Sequence, residues 1–192
     1  MKYLSRVYIA LLVVLTASCI KGPLHLDVFR IKANPGKFEC YINGEDFVPD
    51  SNRLTFFGGP ITTYVQNSNS GPYDIIIEAH INGYGIRENQ EVSLYIQNVT
   101  GTGFYEFNDP NYQHAEYTKY PILDSITVAQ QIQPTIYNAP SPGHGSLTLT
   151  RFDVKNQVIA GTFWFNGVNV HNPADSVKVI SGHFNITDAT FR

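Results

Sequence analysis

From Gly36 onward, apolar and polar residues alternate with a period of two, and this alternation constrains the fold more than any other feature. It is most regular between Tyr73 and Ile81, where Ile75, Ile77 and Ala79 alternate with mostly polar residues. β-branched and aromatic residues fill these stretches, and clusters of Gly, Pro, Asn and Asp bound them. No stretch has the 3.6-residue period of an amphipathic helix. The pattern therefore predicts half-buried antiparallel strands.

The dipeptide Asn43-Gly44 separates two short apolar stretches, residues 38–42 and 46–48. Both residues of the dipeptide tolerate a positive φ, which a tight hairpin turn requires. This segment predicts a first hairpin. Residues 91–99 repeat the alternation and predict a further strand.

The C-terminal third predicts three successive strands that form a meander, at residues 146–153, 158–166 and 177–186. Both faces are apolar around Trp164, so we expect the strand that contains it to be central. In the last strand, we expect Ile180, Phe184 and Ile186 to share one face, because they are spaced by even numbers of residues.

These patterns give about nine or ten strands, with little or no helix after the first 18 residues. The predicted fold class is all-β, either an antiparallel β-sandwich or a barrel-like closure, and the sequence leaves both open. Residues 36–192 have the length of a single domain with a real core.

The N-terminus has the form of a secretory signal. Lys2 and Arg6 precede an apolar run of about nine residues, less than half of what a helix needs to span a bilayer. The small residues Ala17 and Ser18 then precede Cys19, and the segment resembles the lipobox of bacterial lipoproteins. This resemblance implies a signal peptide at 1–18, an acylated Cys19 at the head of a tether at 19–35, and a protein anchored to the membrane by lipid. The alternative is an ordinary signal peptide that leaves a soluble periplasmic protein.

Cysteine content argues against a disulfide-linked fold, and charge argues against a protein that binds nucleic acid. Cys19 and Cys40 are the only cysteines, so acylation of the first leaves no disulfide, and we expect Cys40 to be a small buried hydrophobe. Without residues 1–18 the chain has 11 basic and 16 acidic residues, a net charge of −5. Nucleic acid is therefore excluded as a partner.

The chain resembles a family of small, functionally uncharacterised lipoproteins from Bacteroidetes. The resemblance is carried by the lipobox, by the segment Phe-x-Cys-x-Ile-Asn-Gly at 38–44, and by the three C-terminal strands. It implies a location in the cell envelope, at the outer membrane, and carries over no catalytic residue. Asp124-Ser125-Ile126 and Asp175-Ser176-Val177 also resemble the O-glycosylation signal of that group, which implies Ser125 and Ser176 as modification sites.

Motifs for catalysis and cofactors are missing from the sequence. The six histidines do not have the spacing of metal ligands, so we expect no metal site. There is no Gly-x-Ser-x-Gly motif and no phosphate-binding loop, so we expect no cofactor and no enzymatic activity. A pair of carboxylates that hydrolyses glycosides is defined by distance in space and leaves no sequence pattern; the candidates are Glu78, Glu91 and Glu106.

The segment from Phe104 to Tyr120 is the best candidate for binding. Its aromatic residues lie among acids and amides, a combination that can stack on sugar rings or anchor a protein. The candidate residues are Tyr105, Tyr112, Tyr117 and Tyr120. The alternative is a hairpin whose tyrosines cover the edge of the core.

The sequence thus favours a non-catalytic envelope lipoprotein that binds a glycan or another envelope protein. Two other hypotheses remain open at this stage. One is a β-barrel that carries a small apolar ligand, and the other is a hydrolase that acts on glycans.

Overall fold

A computed structural model describes residues 36–49, 59–67, 72–81, 89–109, 111–121, 133–140, 142–187 and 189–191. These residues form 12 strands and no helix. The strands are β1 (Gly36–Ile42), β2 (Glu45–Phe47), β3 (Ile61–Asn67), β4 (Tyr73–Ile81), β5 (Asn89–Val99), β6 (Gly103–Glu106), β7 (Gln113–Tyr120), β8 (Thr135–Asn138), β9 (Gly145–Asp153), β10 (Val158–Asn169), β11 (Asn172–Thr187) and β12 (Thr190–Phe191).

The strands form one curled sheet with the shape of a half-barrel. Their order is β12-β3-β4-β5-β7-β8-β10-β11-β1-β2, with β9 between β10 and β6. All the pairs are antiparallel except that of β12 with β3. The predicted all-β, barrel-like class is confirmed. The described residues contain more strands than the sequence predicted because β6, β8 and β12 have four residues or fewer, too few to show a period of two.

The predicted C-terminal meander and its central strand are confirmed. β10 pairs with β11 along one edge. On its other edge it pairs first with β9, over residues 158–165, and then with β8, at Val168 and Asn169. Because the backbone groups of a buried strand need partners on both edges, this double pairing places β10 at the centre of the sheet.

The first hairpin forms as predicted, with positive φ angles at Asn43 and Gly44. The turn is also tied to β11. Asn43 donates its backbone N–H to the carbonyl of Lys178, and its side-chain Oδ1 accepts a hydrogen bond from the Lys178 N–H, both at 2.9 Å. This exchange fixes the position of β1 and β2 relative to β11.

The inward positions of the strands form one continuous hydrophobic core. Phe38, Phe163 and Phe184 meet in it, with ring centroids 5.1 Å apart for Phe38 and Phe163 and 6.5 Å apart for Phe163 and Phe184. Cys40 is buried beside them, and burial raises the pKa of its thiol to about 12. Its thiolate is therefore absent at neutral pH, as expected of a small buried hydrophobe.

The prediction that Ile180 shares a face with Phe184 and Ile186 is wrong, because a β-bulge interrupts β11. Phe163 pairs with Gly182 and Phe165 with Val179, so Trp164 faces both Ile180 and Ser181. Ser181 has a φ of 52°, in the left-handed region. The extra residue reverses the alternation, so Ile180 is exposed whereas Phe184 and Ile186 are buried.

Gly182 lies directly beneath the Phe163 ring. A Cβ atom at this position would lie 2.5–2.6 Å from three atoms of the ring. The ring has no room to move, since it is held between Phe38 and Phe184. The residue after the bulge must therefore be a glycine.

Gly182→Ala is expected to lower the free energy of unfolding by about 1–3 kcal/mol, the usual cost of overpacking a core. Urea denaturation of the wild-type and variant proteins measures this difference. The control is Gly103→Ala, where the nearest atom to a new Cβ is 3.7 Å away and we expect a change below about 0.5 kcal/mol. Equal effects of the two substitutions would contradict the packing argument.

Candidate binding groove

A groove of about 580 Å³ lies on the outer face of the sheet, across β6, β9, β10 and β11. We call it the outer-face groove. Phe104, Trp164 and Ile180 supply its apolar side chains. Its polar lining consists of Ser146, Thr148, Thr162, Ser181 and His183. It therefore combines apolar and hydrogen-bonding surface, as most ligand sites do.

The strand register brings these residues together from distant parts of the chain. Phe104 pairs with Thr148, Thr148 with Thr162, and Thr162 with His183. His183 pairs in turn with Glu39 of β1. Residues opposite each other in antiparallel strands project to the same side of the sheet, so these five form one row across it.

A second row runs beside the first and is more apolar. Trp164 pairs with Ser146 on β9, and the β11 bulge places Ile180 next to Trp164. Ile180 pairs with Tyr41 on β1. The bulge therefore adds Ile180 to the apolar part of this face, because the alternation of β11 without it would turn Ile180 into the core.

The apolar residues on this face are unusually exposed. The described part of the chain has nine exposed large hydrophobic residues, and four of them lie here: Tyr41, Phe104, Trp164 and Ile180, with exposed fractions of 45, 67, 40 and 45 %. Hydrophobic residues scattered singly over a surface need no explanation, whereas four on one face of a sheet mark a candidate interaction surface.

The hydroxyl groups of Ser146, Thr148, Thr162 and Ser181 make no hydrogen bond to another residue in the described part of the chain. Each can both donate and accept. The groove lining contains no Asp, Glu, Lys or Arg. It therefore offers hydrogen bonds in both directions without a fixed charge.

His183 is the one titratable group of the groove lining. Its Nε2 atom contacts Oε1 of Glu39 on the neighbouring strand. The pair is ionic when His183 is protonated, and the two charges then cancel. The contact also orients the imidazole at one end of the row that begins with Phe104.

A second concave site, the mouth cleft, has a volume of about 500 Å³. It lies between the β1–β2 hairpin and the neighbouring ends of β4, β5, β7 and β11. Ile42, Phe47, Ile81, Tyr117 and Val177 form its apolar surface, and Asn43, Glu45, Asp46, Gln90 and Lys119 its polar surface. Unlike the outer-face groove, it contains charges of both signs.

The four tyrosines predicted as binding residues do not share one surface. Tyr117 is buried and stacks on Tyr137, with ring centroids 5.8 Å apart. Tyr120 points to the opposite side of β7 and donates a hydrogen bond to Glu91 at 2.9 Å. Because side chains alternate between the two faces of a strand, residues three positions apart project from opposite faces. Tyr117 and Tyr120 therefore cannot share a surface.

The other two tyrosines lie on different elements. Tyr105 is half-buried on β6 and donates to the carbonyl of Gly101 at 2.8 Å. Tyr112 is exposed in the turn before β7. Of the remaining predicted sites, Ser176 is exposed on β11, whereas Cys19 and Ser125 lie outside the described residues.

The sequence analysis missed the outer-face groove because its residues come from separate strands. One signal was nevertheless present: Trp164 occupies the face opposite Phe163 and Phe165, which are both buried. Since a strand has only two faces, either Trp164 or its neighbours had to be more exposed.

The candidate carboxylates occupy two separate places. Glu78 and Glu91 lie on β4 and β5, on the outward face of that part of the sheet. Glu106 lies on β6, where its Oε1 accepts a hydrogen bond from the N–H of Gly143 at 2.7 Å. None of the three lines the outer-face groove or the mouth cleft.

Glu78 and Glu91 belong to a half-buried polar cluster with coupled charges. Burial and the neighbouring Glu91 raise the pKa of Glu78. Burial lowers the pKa of His80, against the opposing effect of Glu91. Ser93 and Tyr120 both donate hydrogen bonds to Glu91, at 2.7 and 2.9 Å. The cluster thus favours the protonated form of Glu78 more than solvent does.

No group of three or more His, Cys, Asp or Glu side chains within the described residues has the arrangement of a metal site. None of the described residues belongs to a helix long and apolar enough to cross a bilayer.

A family model described as a domain of unknown function, DUF6252, matches residues 63–187. The match covers more than half of the 192 residues. The chain belongs to the DUF6252 family. No curated protein and no solved structure matches it.

The DUF6252 match runs from within β3 to the end of β11. It therefore contains every residue that lines the outer-face groove, from Phe104 to His183. Tyr41 and Glu39 on β1 lie outside it. The groove is thus built from the DUF6252 domain, and the first hairpin extends the same face.

Glu78→Gln is expected to stabilise the protein at neutral pH. The raised pKa of Glu78 means that the fold favours the protonated carboxyl, so the wild-type protein loses stability as pH rises through that pKa. The amide removes this loss, and we expect a gain of about 0.5 kcal/mol at pH 7.5, the scale of a cross-strand charge interaction.

Urea denaturation at pH 7.5 and pH 4 measures this effect, and we expect the gain to shrink at the lower pH. The matched control is Glu45→Gln, at an exposed position on β2. A gain that is the same at both pH values would show that the charge of Glu78 is not its cause.

Proposed function

We propose that this protein is a non-catalytic, lipid-anchored envelope protein that binds a neutral glycan in the outer-face groove. One observation carries the proposal. Exposed aromatic side chains and four hydroxyl groups with no partner among the described residues lie on one face of the sheet, and the groove lining on this face contains no Asp, Glu, Lys or Arg.

A sugar ring matches both parts of this surface. The C–H groups of the sugar form an apolar face that can pack on the ring of Trp164, Tyr41 or Phe104. Its hydroxyls lie around the rim and can exchange hydrogen bonds with those of Thr148 and Thr162. These interactions replace water on both partners.

The absence of fixed charge in the groove lining favours a neutral ligand. An anionic glycan or an acidic peptide gains most where Lys or Arg can pair with it, and the lining has neither. A protein partner remains an outcome that the binding experiment below can reveal, because an exposed Trp and Tyr are also typical of protein interfaces.

The outer-face groove supports binding better than the mouth cleft does. A carrier of an apolar ligand needs a mostly apolar cavity. Glu45, Asp46 and Lys119 line the mouth cleft and would be desolvated by such a ligand without compensation. The outer-face groove imposes no such penalty on a neutral sugar.

A binding function without catalysis also fits the positions of the acids. Glycoside hydrolysis needs two carboxyl groups that flank the bond to be cleaved. Glu78 and Glu91 are neighbours, but they lie on β4 and β5, away from both concave sites. Glu78 and Glu91 therefore have a structural role in this proposal and not a catalytic one.

The location at the envelope rests on the N-terminal sequence. A basic start, an apolar run and small residues before Cys19 support cleavage after residue 18 and acylation of Cys19. The resemblance to small Bacteroidetes lipoproteins supports the outer membrane as the destination. Acyl chains would hold the protein firmly, since each buried methylene contributes about 0.8 kcal/mol.

Trp164→Ala is expected to weaken glycan binding at least tenfold, about 1.4 kcal/mol, because it removes the central ring of the groove. Affinity electrophoresis in gels that contain soluble neutral polysaccharides (hydroxyethyl cellulose, glucomannan, xylan or amylose) measures the retardation, and alginate provides an anionic comparison. The substitution leaves the core intact, since Trp164 is partly exposed, and a thermal melt verifies this.

Tyr112→Ala is the matched control, because Tyr112 is also an exposed aromatic residue but lies outside the groove. We expect it to bind like the wild-type protein. Absence of retardation by every neutral polysaccharide would overturn the proposal. Loss of binding in Tyr112→Ala but not in Trp164→Ala would move the site to the tyrosine-rich segment.

Cys19→Ser is expected to abolish membrane attachment if Cys19 carries the acyl chains. Labelling of growing cells with radioactive palmitate, followed by fractionation, measures both incorporation and location. We expect the label in the membrane fraction for the wild-type protein and none in the variant. The control is Cys40→Ser, which leaves the lipobox intact. Unlabelled wild-type protein in the soluble fraction would disprove the anchor.

A further inference from the structure

The aromatic residues of the outer face lie at regular intervals across the sheet. Tyr41 is on β1, Trp164 on β10 and Phe104 on β6. β11 lies between the strands of Tyr41 and Trp164, and β9 lies between those of Trp164 and Phe104. Each ring is therefore two strands away from the next.

Strand spacing converts this order into distances. Neighbouring strands lie about 4.8 Å apart, so the backbones of Tyr41 and Trp164, which belong to the same row, are about 10 Å apart. Phe104 belongs to the adjacent row, about 7 Å further along the strands, so its backbone is about 12 Å from that of Trp164 and about 20 Å from that of Tyr41. No contact between these three rings occurs in the described part of the chain. The rings therefore form three separate platforms and not one cluster.

The distance from Tyr41 to Trp164 and that from Trp164 to Phe104 are both close to the length of two sugar units in an extended β-1,4-linked chain. In such a chain each sugar is turned by about half a revolution relative to its neighbour. Every second sugar therefore presents the same face to one side. A helical α-1,4-linked chain curves away from a line of this length, so it would reach fewer of the three rings. The interval therefore favours the extended geometry.

Hydroxyl groups lie beside the rings, and Ile180 lies between Tyr41 and Trp164. Thr148 and Thr162 lie on β9 and β10 in the row that begins with Phe104, and Ser181 lies beside Trp164. A sugar between two rings would meet these groups through its own hydroxyls. Stacking and hydrogen bonding would then alternate along the chain.

From this arrangement we infer that the outer-face groove, together with Tyr41 beside it, binds about four consecutive sugars of a neutral, extended β-1,4-linked glycan that runs across the strands. This inference rests on the proposed function and adds to it the linkage class, the direction and the length of the ligand. Because sheets twist by about 20–25° per strand, the three rings are rotated relative to one another. The groove therefore suits a single soluble chain better than the flat surface of a crystalline polymer.

Isothermal titration calorimetry on the full-length protein in detergent tests the inference. The ligands are β-1,4-linked gluco-, manno- and xylo-oligosaccharides of one to six units, with maltotetraose as the α-linked comparison. For at least one β-1,4 series, we expect the tetramer to bind at least tenfold more tightly than the dimer, with no further gain beyond about four units. Maltotetraose is expected to bind at least tenfold more weakly than the matching tetramer.

Phe104→Ala removes the ring at one end and provides the second measurement. We expect it to lower the affinity for the tetramer at least fivefold and to leave the affinity for the dimer unchanged, because Tyr41 and Trp164 remain. Phe104 is the most exposed of the three, so the substitution leaves the core intact. Tyr112→Ala serves again as the matched control and is expected to behave like the wild-type protein.

The results of these measurements distinguish the proposed glycan binding from the inferred linkage, length and direction of the glycan. If neutral polysaccharides retard the wild-type protein but the dimer and tetramer bind equally, or maltotetraose binds as tightly as the β-1,4 tetramers, the inference is wrong and the proposed function stands. If Phe104→Ala weakens the dimer and the tetramer alike, the direction across the strands is wrong. If no neutral glycan binds, both claims fail.

Discussion

β10 has hydrogen-bonding partners along both edges, and the rest of the sheet meets there. β11, β1 and β2 continue from one edge, and β8 leads from the other edge to β7, β5, β4 and β3. The two segments share one core, to which β10 contributes Phe163 and Phe165. Since backbone groups in a core must be paired, the loss of β10 would leave both segments with unpaired edges. The continuity of the sheet therefore depends on this strand.

The bulge at Ser181 links that core to the outer surface. On the inner side, it brings Gly182 beneath the Phe163 ring, where no side chain fits. On the outer side, it turns Ile180 toward Trp164 and Tyr41. Bulges cost regular pairing and are found where a strand must redirect a side chain, often near functional sites. The same irregularity thus leaves room for the Phe163 ring in the core and adds Ile180 to the apolar part of the groove.

Local sequence signals predicted the strands but not the groove. Asn43-Gly44 and the alternation from Tyr73 to Ile81 encode their structures within a few residues, so the hairpin and β4 were predictable. The face of Ile180 was not, because it depends on one extra residue whose presence is visible only against the partner strands. Contact between Phe104 and the C-terminal strands depends likewise on the pairing of β6 with β9, about 45 residues away along the chain. Long-range register of this kind leaves no periodic trace.

The uncharged groove has a consequence for how a ligand can be held. Each hydrogen bond that replaces one to water contributes only about 0.5–1.5 kcal/mol, and the hydroxyls of Ser146, Thr148 and Thr162 are already free to bind water. Without an ionic anchor, a single sugar gains little. A polymer gains the same small amount at each position while its loss of translational freedom occurs once. A shallow groove with separated rings is therefore better suited to a chain than to a single sugar, and this also explains why it needs no deep cavity.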